Sequence, residues 1–197
     1  MLDAIFCCCI TANFYTVTDR DWETNLIQPS SGTTLTVGAS GDTLALGSGV
    51  VQSNLLSPAF KARKTTNQSV AASTDVKITF DAEDFDTDSA FADSKFTVPS
   101  GKAGKYSFTF FNRIRDASDI LHLEYSFYKN GSKEDRISNV HNYISGDSQY
   151  QSYGFSTTMN LNASDYIEVY VNHTAGGSMS LNGGTGITVF TGFRIGT

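Results

Sequence analysis

Charge is scarce in this chain. Charged residues make up 17% of 197 positions, against a usual share of about 25%, so Ser, Thr, Asn and Gly must carry the solvated surface. That composition suits a β-rich extracellular or virion surface. The few charges lean acidic, with a net charge of -6 and a pI near 4.9. Nothing there neutralises phosphates, which argues against a nucleic-acid or acidic-membrane partner. Long apolar runs are also missing. The longest, Ala4 to Ile10, falls well short of the roughly 20 residues a membrane helix needs, so no membrane insertion is expected. As a secretory h-region the run is poorly framed, because Asp3 precedes it in place of basic residues and no small-x-small cleavage site follows.

Cysteine is confined to one place, Cys7, Cys8 and Cys9. Neighbouring side chains of an extended strand point to opposite faces, so no ordinary intrachain disulfide framework is available. The three read as small buried hydrophobes, with inter-chain disulfides or a metal site at a symmetry axis as alternatives. Runs of Ala, Leu, Glu and Lys are few, whereas there are 17 Gly, 14 Phe and 9 Tyr. Strands and turns are favoured and an all-α fold is excluded.

Catalytic patterns are lacking too. His122, His141 and His173 occur singly, without the spacing that sets two imidazoles on one helical face. Gly146-Asp147-Ser148 is similar to the nucleophile block of some esterases, but no downstream Asp-x-x-His supplies a base, and it reads as a polar loop. Neither a Gly-x-Ser-x-Gly elbow nor a phosphate-cradling glycine loop occurs. The expectation is a protein that is not an enzyme and carries no cofactor or metal. The acidic run Asp81, Glu83, Asp84, Asp86, Asp88 is the best cation candidate. Ser89 stands where a calcium loop needs its turn glycine and Lys95 where it needs the bidentate Glu, so it reads as a solvated acidic loop, with a calcium site as the alternative. The Asn-x-Ser/Thr sites at Asn67, Asn130, Asn162 and Asn172 are close to chance in so Ser/Thr-rich a chain.

What is present falls into three parts, with Pro29 and Pro58 at the boundaries. Residues 1–28 mix Ile5, Phe6, Phe14, Tyr15 and Trp22 with a charged patch, and are too short to bury their own core. They read as an anchor that packs on another surface. Residues 29–57 hold a two-copy repeat of period nine, Gly32-Thr-Thr-Leu-Thr-Val-Gly38 and Gly41-Asp-Thr-Leu-Ala-Leu-Gly47. Short strands between glycine turns need neighbours to cover them, supplied here by other chains; a flexible Gly/Thr/Ser linker is the alternative. The repeat resembles the Thr-Leu-Thr-Val-Gly low-complexity repeats of tail-fibre-like proteins in marine bacteriophages.

Residues 58–197 alternate in strand fashion with turn signals every eight to twelve residues, as in a sandwich. Strands are expected near 59–64, 76–80, 94–98, 104–114, 120–129, 135–143, 149–160, 165–173 and 186–195. Asn130-Gly131 marks a hairpin with a type I′ turn. Tyr106, Phe108 and Phe110 share one strand face, as do Leu121, Leu123, Tyr125 and Phe127, giving inward rows for a two-sheet core. Phe111, Tyr150, Tyr153, Phe155, Tyr166 and Tyr170 exceed what one such core needs, and surplus apolar surface marks an interface.

Aromatic spacing gives this part a family resemblance. Gly104-Lys-Tyr106-Ser-Phe108-Thr-Phe110, the intervals to Phe80, Asp86 and Phe91, Phe96-Thr-Val-Pro99, Ala59-Phe60-Lys61-Ala62, Leu161-Asn-Ala-Ser-Asp165-Tyr-Ile-Glu-Val169 and the closing Phe190-Thr-Gly-Phe-Arg-Ile195 resemble the C1q/TNF-like family. Two departures lie in turns: Phe96 comes two residues early, and Ser164 stands where the family has Gly. The resemblance implies an all-β fold, a jelly-roll β-sandwich, and a homotrimer about a threefold axis with the surplus rings at its interface.

Strand parity then sorts the loops. Successive strands of a jelly roll alternate in direction, so the loops 174–184, 115–119 and 145–149 should share the end away from Pro58, with the Asn130-Gly131 and Asn162–Ser164 turns at the base. Loops on a rigid sandwich carry recognition, which makes Arg115, Asp116, Asp119, Asp147, Gln149, Met179 and Asn182 the candidate binding residues. The expected function is a homotrimeric structural protein of a bacteriophage virion, a fibre or spike. Residues 1–57 would join other virion proteins, and the head would meet a host-surface protein or glycan. A secreted C1q-like ligand-binding protein and a capsid-decorating cement protein are the alternatives.

Overall fold

The computed structural model describes residues 57–115, 122–137, 150–174 and 176–196, with Thr43, Ser48 and Ile120 as isolated positions. The anchor, the repeat and Cys7 to Cys9 lie outside the described residues. All described strands belong to one compact unit, Gln52–Thr197.

The strands are β1 (Ala59–Arg63), β2 (Gln68–Val70), β3 (Val76–Lys77), β4 (Ala82–Asp86), β5 (Phe91–Ala92), β6 (Lys95–Thr97) and β7 (Gly104–Arg115), then β8 (His122–Lys129), β9 (Ser132–Ile137), β10 (Gln151–Leu161), β11 (Tyr166–Thr174), β12 (Met179–Leu181) and β13 (Val189–Gly196). They form two antiparallel sheets. In the larger, β10 follows one edge of β7 from end to end, because Phe110 pairs with Phe155 on that side and with Phe190 of β13 on the other. The sheet continues from β13 through β1 to β4, while β12 takes the far end of the β13 edge and carries β2. The smaller sheet runs β5-β6-β11-β8-β9, with β3 beside β11. This is a jelly-roll sandwich.

The core follows from strict alternation along β7, where every second residue is buried from Gly104 to Ile114. Phe60 is its hub. Its ring stacks on Phe91 and Phe96 at 4.9 and 5.0 Å and meets Phe190 edge-on at 4.9 Å. Phe108, Phe110, Leu123, Tyr125, Phe127, Ile167, Val169 and Val171 fill the rest. Two buried polar groups are answered locally: the Tyr106 hydroxyl donates to the Lys102 carbonyl at 2.5 Å, and Asn112 Nδ2 donates to the Tyr125 hydroxyl.

Turn chemistry fixes the base. Asn130 and Gly131 have φ of 52° and 78°, the two positive values that a type I′ turn requires. Ser164, in the place of a glycine, also takes a positive φ of 71°. The two turns are tied together, Asn130 Nδ2 donating to Asp165 at 2.7 Å and Tyr166 N donating to Asn130 Oδ1 at 2.9 Å. The start of β1, the start of β7 and the ends of β10 and β13 meet at this same end, since Leu161 pairs with Gly104 and Ala59 with Phe193.

Four elements depart from the expected strands. The strand near 76–80 is only the pair Val76–Lys77, and the one near 135–143 starts earlier, at Ser132, and is described as far as Ile137. The acidic stretch read as a loop contains a strand, Ala82–Asp86, on the sheet edge; edge strands tolerate charge because one side faces water. The loop 174–184 contains another, Met179–Leu181, which pairs with β7 and β2. β2 and β5 are too short to show a period.

Candidate functional site

Cross-strand partners share a face, so the outer surface of the larger sheet can be read in rows. Ala59, Phe193, Ser107 and Thr158 form one row, and Phe85, Lys61, Thr191, Thr109 and Ser156 the next. Arg63, Val189, Phe111 and Gly154 follow, and Arg113 with Ser152 stands above them. The exposed large apolar side chains among the described residues are Phe85, Phe111, Tyr150, Phe193 and Ile195, at 40 to 53% exposure. Phe85, Phe111, Phe193 and Ile195 all project from this one face, and Tyr150, one residue before β10, lies against Arg113 and Arg115 of the same face. Phe111 covers Gly154, where a Cβ would stand 3.2 Å from the Phe111 ring. Small hydroxyl residues lie between the rings, together with Lys61 and Arg63, which pair with Asp84 at 2.9 and 2.7 Å.

The outer face of the smaller sheet is closed by its own polar contacts. Lys133 reaches Glu124 at 2.5 Å and Asp75 at 3.4 Å, Lys77 reaches Glu168 at 2.6 Å, and Tyr128 donates to Asp75 at 2.6 Å. Burial would raise the Glu124 carboxyl, but the Lys133 ammonium outweighs it and holds it below its ordinary range. The same hydrogen bond raises Lys133. The Tyr128 hydroxyl is pushed up to about 12 by burial and then by its bond to the Asp75 carboxylate. Groups whose charges are satisfied within the chain do not ask for a partner; the exposed rings of the other face do.

The candidate interface residues separate accordingly. Phe111 stands on the apolar face. Tyr166 and Tyr170 do not: they belong to β11 in the smaller sheet, where Tyr170 stacks on Tyr128 at 4.0 Å and Lys95 lies over the Tyr166 ring at 5.1 Å. Tyr153 and Phe155 face inward, because β10 pairs Phe155 with the buried Phe110; the Phe155 ring sits 4.4 Å from that of Phe127. Phe85, Phe193 and Ile195 join the face instead. The alternation Phe190-Thr-Gly-Phe-Arg-Ile already carries the signal for two of them, since an inward Phe190 sends Phe193 and Ile195 outward.

At the end opposite the base β7 ends at Arg115 and β10 begins at Gln151. Arg115 is exposed there. Asp116, Asp119, Asp147 and Gln149 lie outside the described residues. Met179 and Asn182 are corrections: they are 1% and 5% exposed, because β12 turns Met179 into the core and Asn182 N bonds to the Arg113 carbonyl at 2.8 Å. Neither can touch a ligand. In the acidic run, Asp81 accepts from Thr65 N at 2.5 Å and from the Thr66 hydroxyl at 2.7 Å, Asp84 pairs with Lys61 and Arg63, and Asp86 accepts from Ala90 N and Phe91 N. These carboxylates brace the loop and the edge strand. Among the described residues no group of three His, Cys, Asp or Glu is placed to hold a metal.

No family model and no curated protein matches the chain. Solved structures do. Two crystal structures of murine APRIL, at pH 8.5 and pH 8.0, are similar at TM-score 0.51, with 12% and 13% identity, covering 70% of this chain and 98% of theirs. The globular domain of zebrafish complement 1qA protein is similar at TM-score 0.47 and 17% identity, over 70% of this chain and 97% of that one. The described sandwich has the C1q/TNF-like jelly-roll fold.

Proposed function

We propose that the chain is a homotrimeric structural protein of a bacteriophage virion, a short fibre or spike whose C1q-like head serves host-surface attachment. Segregation of the exposed rings supports the assembly: Phe85, Phe111, Phe193 and Ile195 share the outer face of one sheet, and the other sheet closes its face with ion pairs. A surface of rings set among small hydroxyl residues, with Lys61 and Arg63 neutralised by Asp84, is suited to packing against another copy. The virion context is supported by the Gly32–Gly47 repeat, by the anchor-like residues 1–28 and by a surface built on uncharged polar residues. In this reading residues 1–57 join other virion proteins, and no catalysis or cofactor is involved.

Mass spectrometry and cryo-electron microscopy of purified particles test it. The expected result is threefold density for the jelly roll at a fibre or spike. Particles free of the protein would overturn the virion assignment, and density spread over the capsid lattice would replace the fibre with a cement protein.

A further inference from the structure

The ring-bearing face of the larger sheet carries two cations among its rings. Lys61 stands opposite Phe85, and Arg63 shares the row of Val189 and Phe111. Covered by another copy without an anion, both would lose their hydration and oppose the contact. Asp84 answers both, at 2.9 Å from Lys61 Nζ and 2.7 Å from Arg63 Nε. A β-bulge brings it there. Lys61 pairs with Phe85 and Ala62 with Glu83, so Asp84 is an extra residue of β4 with no partner on β1. In a regular ladder it would stand opposite the fully buried Ala62 and point into the core. The bulge re-aims it, so that its carboxylate meets two side chains of the outer face while the neighbouring Phe85 ring stays 48% exposed. The hydrogen bond from Lys61, and then that from Arg63, hold the Asp84 carboxyl below its ordinary range, so it is ionised at neutral pH. The nearby Asp81 and Asp86 are engaged elsewhere, with Thr65 and Thr66 and with the N–H groups of Ala90 and Phe91.

We propose that Asp84 gates assembly: its carboxylate pairs Lys61 and Arg63 so that the ring-bearing face can close against a second copy of this chain. This deepens the homotrimer reading and rests on it. With Asp84 in place, each copy brings one net positive charge to the contact, and both cations have a partner. Without it each copy brings two positive charges, and neither is paired. The rings of Phe85 and Phe111 supply the apolar area, and the carboxylate decides whether that area can be covered.

Sedimentation of the fluorescently labelled full chain, diluted into the nanomolar range, measures the assembly constant, with circular dichroism as the check on folding. Asp84→Asn should weaken assembly by about tenfold or more per copy, the scale of removing one partner from a buried charge pair. Three copies multiply this to about a thousandfold for the trimer. Lys61→Gln with Arg63→Gln strands the carboxylate instead and should weaken assembly too, which carries the test if Asp84→Asn does not fold. Lys61→Gln, Arg63→Gln and Asp84→Asn together remove every charge of the group and should return the constant to within about tenfold of the unsubstituted chain. A carboxylate that merely braced β4 against β1 would not be made dispensable by deleting its two partners. Unchanged assembly of Asp84→Asn, or a triple variant as weak as Asp84→Asn, overturns the gate while the trimer stands. An unsubstituted chain that is monomeric throughout is a different result and removes the trimer and the gate together.

Discussion

Replacing Gly192 by Ala probes the aromatic core at its tightest point. An added Cβ would meet three ring carbons, two of Phe108 at 2.5 and 2.8 Å and one of Phe60 at 2.8 Å, where carbon contacts normally settle at about 3.5–4.0 Å. Neither ring can retreat. Both are fully buried, and Phe60 is already held by Phe91, Phe96 and Phe190. Overpacking of this kind costs about 1–3 kcal/mol, and the lower entropy of an unfolded alanine returns about 0.4–1 kcal/mol. The expected net loss is about 1–2 kcal/mol, or about 2–8 °C in Tm for a chain of this length. Gly177→Ala is the control, since nothing lies within 4 Å of its added Cβ; it should stay within about 0.5 kcal/mol of the unsubstituted protein. Urea unfolding of the full chain at one fixed concentration measures both. If Gly192→Ala is as stable as the control, the packing of Phe60 and Phe108 against β13 is wrong.

Met179→Ala should cost about 2–5 kcal/mol in the same urea assay, because the side chain is buried in the core; a surface methionine would cost almost nothing. Burial alone would raise the Asp81 carboxyl, but hydrogen bonds from the Thr66 hydroxyl and the Thr65 and Thr66 N–H groups hold it well below the usual carboxylate range. Its contribution is therefore complete above about pH 4 and is lost as the pH falls toward the folded value. Asp81→Asn should make stability less dependent on pH below 4 in acid titrations followed by circular dichroism, and an unchanged acid limb would dismiss the clamp.

Much of the head is legible in its sequence because strand parity is local. Tyr106, Phe108 and Phe110 announce the buried side of β7, and Asn130-Gly131 announces its hairpin, from residues within a single element. What one strand does to another is not written in either. Phe155 reads as a spare ring until its pairing with Phe110 turns it inward, and Tyr170 reads as one until Tyr128 stacks on it from β8. Met179 illustrates a different loss: three residues are too few to display an alternation, so a buried strand looks like a loop tip. The acidic β4 misleads because its charges are satisfied across strands, Asp84 by Lys61 and Arg63.

Light scattering on the eluting full chain tests most directly whether the ring-bearing sheet face joins the copies. The unsubstituted protein should elute as a single species of about three times 21.3 kDa, and Phe111→Glu with Phe193→Glu should give a monomer that keeps its β-sheet circular dichroism, because two buried unpaired charges cannot be accommodated at an interface. A monodisperse monomer of the unsubstituted chain at micromolar concentration would contradict the trimer, and a trimer that survives both substitutions would place its interface elsewhere.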